Sequence, residues 1–133
     1  MPIMDRSLLF SDRQAITATA ASTNIVDLGA ARSFKGGEMI PITIAITESF
    51  NTLTSLTISV ETDDNAAFSS ATTAMTFPTV TLTNLQAGDP QPPPYHIPWQ
   101  VAERYLRLKY TVVGTDPTTG KITAGVSAGS QTA

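Results

Sequence analysis

Hydrophobic and polar residues alternate with a period of two along much of this chain, most clearly over Met39–Thr47. Four isoleucines fall on one face of that segment: Ile40, Ile42, Ile44 and Ile46. Successive side chains of a β-strand point to opposite faces, so the pattern predicts a strand with one buried face. Pro41 has no N–H to donate and is therefore expected near the start of this strand or at a sheet edge.

The same alternation predicts short strands at regular spacing through the rest of the chain. They are Ser7–Phe10, Gln14–Thr19, Thr23–Leu28, Ser55–Thr62, Thr72–Phe77, Thr79–Leu85, Tyr105–Val113 and Lys121–Ala128. The residues expected to point inward are Leu56, Ile58, Val60, Leu106, Leu108, Tyr110 and Val112, and those expected to point outward are Thr57, Ser59, Glu61, Arg107, Lys109 and Thr111. A strong turn signal, Asp116–Gly120, predicts that the last two strands form a hairpin.

No segment shows a convincing amphipathic helix, and only Asn65–Ser70 and Pro98–Glu103 could hold a helical turn. Many short strands without helices are typical of a sandwich or a closed barrel, and a jelly roll is the economical arrangement for so short a chain. The sequence therefore predicts an all-β fold, a single-domain jelly-roll β-sandwich of about eight antiparallel strands over residues 1–133. Residues 1–9 are expected to form an N-terminal arm and residues 127–133 a fraying tail.

Charge and cysteine content exclude several classes of function. Charged residues make up 14% of the chain, which is low and is typical of much buried or partner-covered surface. The net charge is −3 and the eight basic residues are scattered, so the clustered positive footprint that nucleic acid requires is missing. The chain has no cysteine for disulfides or thiolate chemistry. The apolar run Leu8–Phe10 is too short for a signal sequence or membrane span, which predicts a soluble protein made in the cytoplasm.

Catalytic and metal-binding patterns are weak. His96 is the only histidine, and a lone histidine is more often structural than a general base. No Gly-x-Ser-x-Gly elbow occurs. Asp63–Asn65 has the ligand types of a calcium loop but lacks the remaining spaced acidic residues, which favours a turn. Glu103 and Arg104 are interpreted as a pair at the entry to the next strand. The sequence therefore predicts no enzyme, no cofactor and no metal.

The segment 86–95 interrupts the strand pattern because it is rich in proline. It fits a solvent loop that joins two strands, but a stiff, extended segment also loses little entropy on docking and would suit a contact arm. Tyr95 and Trp99 flank it and could anchor a partner, although Trp99 also fits a core position.

A glycan-binding, lectin-like module is one function that the residues themselves allow, because such sandwiches present aromatic platforms. The candidate residues are Tyr95, Trp99, Tyr105 and Tyr110. Tyr105 and Tyr110 are separated by an odd number of residues and would point to opposite faces of a regular strand. Aromatic residues are also only 7% of the chain, which is little for stacking on sugars.

Several segments, taken together and in order, resemble those of a known protein family. They are Asp5–Asp12, Gln14–Thr17, Ser22–Gly29, Glu61–Ser70, Arg104–Tyr110 and Ile122–Val126. In these segments the chain is similar to the Bbp16-like capsid cement proteins of tailed bacteriophages, and the resemblance spans nearly the whole chain. The segment Gln86–Pro94 has no counterpart in that resemblance.

The resemblance implies a jelly-roll protein on the outer surface of an icosahedral head, which clamps neighbouring major capsid protein subunits. It also implies a symmetric homo-oligomer, since lattice sites between capsomers are symmetric; a dimer at two-fold positions is favoured and a trimer is the alternative. The expected location is the virion, with the host cytoplasm during assembly. The residues predicted to contact the partner are Met1, Pro2, Ile3, Met4, Asp89, Pro92, Pro93, Pro94, Tyr95 and Trp99.

Overall fold

The computed structural model describes residues 4–27, 29, 40–88, 96–97 and 103–127, and these residues form two antiparallel sheets. The strands are β1 (Met4–Ala15), β2 (Ala20–Ala21), β3 (Val26–Asp27), β4 (Ile40–Glu48), β5 (Leu53–Asp63), β6 (Thr72–Thr76), β7 (Val80–Thr81), β8 (His96–Ile97), β9 (Tyr105–Gly114) and β10 (Lys121–Ser127). A single turn of 3-10 helix, Leu82–Asn84, follows β7. None of the described residues belongs to a helix that could cross a bilayer.

The order of the strands identifies the fold. The first sheet runs β1-β10-β4-β8, and the second runs β2-β9-β5-β6, with β3 also paired to β9 and β7 to β5. The antiparallel pairs are nested along the chain: β1 pairs with β10, β2 and β3 with β9, β4 with β8, and β5 with β6 and β7. This nested pairing, distributed over two sheets, is the jelly-roll arrangement. The predicted all-β sandwich is confirmed.

The core lies between the two sheets and follows the predicted alternation. From β4 it takes Ile42, Ile44 and Ile46, from β5 it takes Leu56, Ile58 and Val60, and from β9 it takes Leu106, Leu108 and Tyr110, all of them buried. Val112 is partly buried against the same cluster. Burying one aliphatic side chain of this size contributes about 1.5–3 kcal/mol, so the alternating strands supply most of the drive to fold. Pro41 is the second residue of β4, as predicted.

Several predicted strand boundaries are wrong. β1 is one strand where the sequence predicts two, Ser7–Phe10 and Gln14–Thr19, and it ends at Ala15. Its pairing with β10 shifts register three times, and Arg13 has a positive φ of 48°, so bulges absorb the irregularity without ending the strand. Among the described residues of the predicted strand Thr23–Leu28, only Val26–Asp27 form a strand. The predicted strand Thr79–Leu85 is a strand only at Val80–Thr81, because the chain then turns into the 3-10 helix. The Asn65–Ser70 segment forms turns, not a helix.

The predicted hairpin between the last two strands is also wrong, because β9 and β10 belong to different sheets. The segment that joins β9 to β10, residues 115–120, is instead hydrogen-bonded to the segment that joins β4 to β5, residues 49–52. The Asn51 side chain donates to Thr118 Oγ1 at 2.8 Å and accepts the Thr118 N–H at 2.9 Å and the Thr119 N–H at 3.2 Å. The turn signal at Asp116–Gly120 therefore marks a crossing from one sheet to the other.

A buried hydrogen-bond network joins the two sheets through the core. The hydroxyl of Ser11, on β1, donates to Gln14 Oε1 at 2.7 Å and lies 2.7 Å from the phenol oxygen of Tyr110, on β9. Because the Ser11 proton goes to Gln14, Tyr110 donates to Ser11. Gln14 Nε2 in turn donates to the carbonyl of Ala21 at 2.9 Å. Burial raises the pKa of Tyr110 above its usual value, which keeps the phenol neutral.

Removing the Ser11 hydroxyl is expected to cost more than removing the Tyr110 hydroxyl. Ser11→Ala leaves a fully buried phenol without an acceptor and is expected to cost about 1–3 kcal/mol. Tyr110→Phe leaves Ser11 still bonded to Gln14, so about 1 kcal/mol is expected. Urea unfolding of both variants and of the double variant measures this. The double variant is expected to lose less free energy of unfolding than the two single variants added together. Strictly additive losses would contradict a hydrogen bond between Ser11 and Tyr110.

Candidate interaction surface

The second sheet presents one broad surface to the outside, formed by the side chains of β5 and β9 that point away from the core. We call this surface the outer face. Its residues are Ser55, Thr57, Ser59 and Glu61 on β5, with Arg107, Lys109, Thr111 and Val113 on β9. They stand opposite each other in four cross-strand pairs: Ser55–Val113, Thr57–Thr111, Ser59–Lys109 and Glu61–Arg107. The alternation of the two strands therefore gives the face its composition.

One half of the outer face is a band of hydroxyl groups. Thr57 lies beside Thr111 across the strands and exchanges a 3.0 Å hydrogen bond with Thr79. Ser55 and Ser59 lie on the interior strand β5 and are buried although they point outward, because they are short and their neighbours are longer. Val113 is 49% exposed at the end of this band. The band is uncharged and carries one exposed apolar side chain.

The other half of the outer face carries charges that neutralise each other. Arg107 Nε donates to Glu61 Oε1 at 2.7 Å, and the guanidinium lies 4.3 Å from the centre of the Phe68 ring. Glu61 is only 6% exposed, so this pair is largely shielded from water. The ring and the carboxylate together fix the guanidinium, since it is planar and both contacts restrict its orientation.

A second arginine–carboxylate pair lies at the end of the sheet and is exposed to solvent. Arg104 binds both carboxylate oxygens of Asp27, at 2.7 and 2.9 Å, and its guanidinium lies 5.0 Å from the centre of the Tyr105 ring. The hydrogen bond from Arg104 lowers the pKa of Asp27 from 3.8 to about 2. The predicted pairing of Glu103 with Arg104 is therefore wrong: Glu103 Oε1 accepts a 2.6 Å hydrogen bond from the Thr62 hydroxyl instead.

The loop that follows β5, residues 64–71, is held by the buried carboxylate of Asp63. That carboxylate accepts the Ser70 N–H at 2.8 Å and the Asn65 N–H at 3.0 Å. The hydrogen bond from Ser70 is the main cause that lowers the pKa of Asp63. The predicted turn after this strand is confirmed. The described residues contain no cluster of three or more His, Asp or Glu side chains that could hold a metal ion.

Phe68 closes this loop over the outer face. It is buried, and its backbone has a positive φ of 51°, which is uncommon for a large non-glycine residue. Its N–H donates to the carbonyl of Asn65 at 2.9 Å. Packing against Arg107 offsets the strained backbone, so Phe68 joins the loop to the charged half of the face.

Lys109 differs from the two arginines because it has no partner. It is half-buried between two short residues, Ser59 on β5 and Ala21 on β2. Within the part of the chain that the structure describes, its amine makes no ion pair and no hydrogen bond. The outer face therefore has a single uncompensated charge, and that charge lies next to the hydroxyl band.

Most of the contact residues predicted from the sequence lie outside the described residues: Met1, Pro2, Ile3, Asp89, Pro92, Pro93, Pro94, Tyr95 and Trp99. Met4 is the exception and begins β1, where it is paired with Ser127. Residues 4–9 of the predicted arm are thus part of the first sheet. Residues 128–133 of the predicted tail lie outside the described residues. His96 lies in β8, and its backbone pairs with Pro41 of β4.

Two of the four aromatic residues considered for a glycan platform are described. Tyr110 is fully buried and cannot stack on a sugar. Tyr105 is half-buried, beneath the guanidinium of Arg104. Tyr95 and Trp99 lie outside the described residues. In the described part of the chain, therefore, the outer face offers hydroxyls and charges but no open aromatic surface.

A known protein family matches this chain over a range that includes strands of both sheets. The sequence model of the Bbp16 family matches residues 10–126, from the middle of β1 almost to the end of β10. The chain belongs to the Bbp16 family. No curated protein matches its sequence. Membership of the Bbp16 family and the all-β fold are compatible with a structural protein of a phage.

Proposed function

We propose that this Bbp16-family protein is a cement protein of a tailed-bacteriophage head. It binds the outer surface of the icosahedral shell and clamps neighbouring subunits of the major capsid protein. The main support is the family match over residues 10–126. The low charge and the hydroxyl-rich outer face are also in keeping with wide, hydrogen-bonded contacts between proteins.

The proposal includes a location and an oligomeric state. The protein is made in the host cytoplasm and joins the shell during or after its expansion. It binds as a symmetric homo-oligomer, a dimer by preference and otherwise a trimer, because positions between capsomers are themselves symmetric. Many copies on one shell then add their effects, so each contact can be weak while the shell becomes resistant to the pressure of packaged DNA.

The proposed role needs no catalysis. Tyr110 and Asp63, the described residues with a buried polar group of shifted pKa, are held in structural hydrogen bonds to Ser11 and Ser70. A cement function requires a stable fold and a well-defined surface, and these buried hydrogen bonds stabilise the fold.

Shell stability tests this function directly. Particles assembled without the protein are expected to break at lower temperature and to release more DNA on osmotic shock than complete particles. Adding the purified protein back to the deficient particles is expected to restore both properties, which separates a missing cement from an assembly defect. Equal fragility of deficient and complete particles would rule the proposal out.

A further inference from the structure

The outer face combines an unpaired cation, Lys109, with exposed hydroxyl groups, which are groups that a partner protein could bind. We propose that it docks onto a flat protein surface of the shell that presents a carboxylate to Lys109 and hydrogen-bonding groups to the hydroxyl band. This inference rests on the cement function proposed above and assigns that function to one side of the sandwich.

The charges on the face determine the chemistry of the partner. Arg107 is neutralised by Glu61, and Arg104 by Asp27, so neither needs an external anion. Lys109 is the remaining basic group of the face and has no counter-ion in the described structure. Half-burial has already removed part of its hydration, so an approaching carboxylate gains more than it would at a fully exposed lysine. A carboxylate on the partner is the complementary group.

The position of Lys109 argues against a second copy of this chain as the occupant. It lies near the middle of the face, opposite Ser59 on the central strand β5. A two-fold contact through this face would bring Lys109 of each copy close to Lys109 of the other, and like charges that face each other are destabilising. The partner is therefore a different surface.

The rest of the face sets how tightly one contact can bind. Along β5 it extends for about 20 Å, and its two strands give it a width of about 10 Å, so the area is about 200 Å². That is less than half of what a stable one-to-one complex buries on each partner. Thr57, Thr111 and the exposed Val113 add hydrogen bonds and one apolar contact, which suits an interaction repeated many times on one shell.

Binding of purified variants to shells that lack the protein tests the assignment. Co-sedimentation is measured for the unmodified protein, Lys109→Glu, Lys109→Met and, as a matched control, Arg13→Glu. Arg13 is exposed on β1 of the opposite sheet, so its substitution changes the net charge by the same amount away from the face. Lys109→Glu is expected to weaken binding by at least about tenfold, Lys109→Met by less, and Arg13→Glu by less than about twofold.

Salt provides a second measurement that does not depend on charge reversal. Raising the ionic strength is expected to weaken binding of the unmodified protein and to affect Lys109→Met less, because the screened contact is already gone. If Lys109→Glu fails to fold, Lys109→Met and its salt response still test the assignment.

The possible outcomes distinguish the docking face from the cement function. Binding of Lys109→Glu equal to that of the unmodified protein would overturn the docking face while leaving the cement function intact. Failure of the unmodified protein to bind shells would overturn both. Equal losses in Lys109→Glu and Arg13→Glu would mean a general charge effect and no docking face. A changed oligomer mass in Lys109→Glu, measured by light scattering, would mean that the face joins copies of this chain.

Discussion

Arg107→Met is expected to destabilise the fold by about 3 kcal/mol, because it leaves the carboxylate of Glu61 buried without a partner. The side chains of this pair are 23% and 8% exposed. Water therefore cannot replace the lost guanidinium. The substitution also removes the contact between the Arg107 guanidinium and the ring of Phe68 in the loop after β5. Chemical denaturation at neutral pH measures the change.

The structure offers a closely matched control in Arg104→Met. Its pair with Asp27 has the same shortest distance, 2.7 Å, and also lies over an aromatic ring, but its side chains are 42% and 45% exposed. Since both partners stay hydrated, a much smaller loss is expected. The double variant Arg107→Met/Glu61→Gln is expected to recover part of the stability, because it removes the stranded charge. Equal losses for Arg107→Met and Arg104→Met would show that burial does not determine the strength of these pairs.

Gly114→Ala is expected to destabilise the protein by about 3 kcal/mol, which is more than its backbone conformation alone requires. Gly114 has a φ of +95°, and a Cβ added there would lie 2.4 Å from Thr54 Oγ1 and 2.8 Å from Thr54 N. The second contact is with backbone, so no side-chain rotation can relieve it. The strand ends β5 and β9 must therefore separate, and overpacking of this kind costs about 1–3 kcal/mol in addition to the strain.

Gly88→Ala separates the two contributions. Gly88 has a φ of +87°, and an added Cβ would have no atom within 4 Å. It therefore reports the backbone strain alone, about 1 kcal/mol. Thermal and urea unfolding of the two variants give the difference. Similar losses at both positions would mean that the contact with Thr54 is relaxed at no cost, and that the approach of the two strands is loose.

The sequence predicts the faces of the long strands correctly because alternation is a local property. Each inward residue of β5 and β9 is recognisable from its immediate neighbours. The choice of strand partner is not local. The turn signal at Asp116–Gly120 would suit a hairpin, but hydrogen bonds to the side chain of Asn51, more than sixty positions earlier, hold this segment across the end of the sandwich. Nothing near Asp116 in the chain indicates them.

For the outer face, too, the sequence predicts which side chains point outward but not which of them are paired. Alternation alone places Arg107 and Lys109 outside the core, which the structure confirms. It cannot tell that Arg107 is neutralised, since its partner Glu61 is 46 positions away. The difference between a satisfied and an unsatisfied cation, on which the docking inference depends, exists only once the register of β5 and β9 is known.

The nested strand pairing has a consequence for synthesis. Met4 pairs with Ser127, and β10 lies between β1 and β4, so the first sheet cannot close until the chain as far as Ser127 has left the ribosome. Contacts between such distant residues make folding slow, since the loop must close before the contact forms. During that time β1 and β4 are exposed edges that can join the wrong chain. Each copy of the protein therefore depends on β10 to complete its first sheet, and the rate at which this strand is added limits how fast correctly folded protein accumulates.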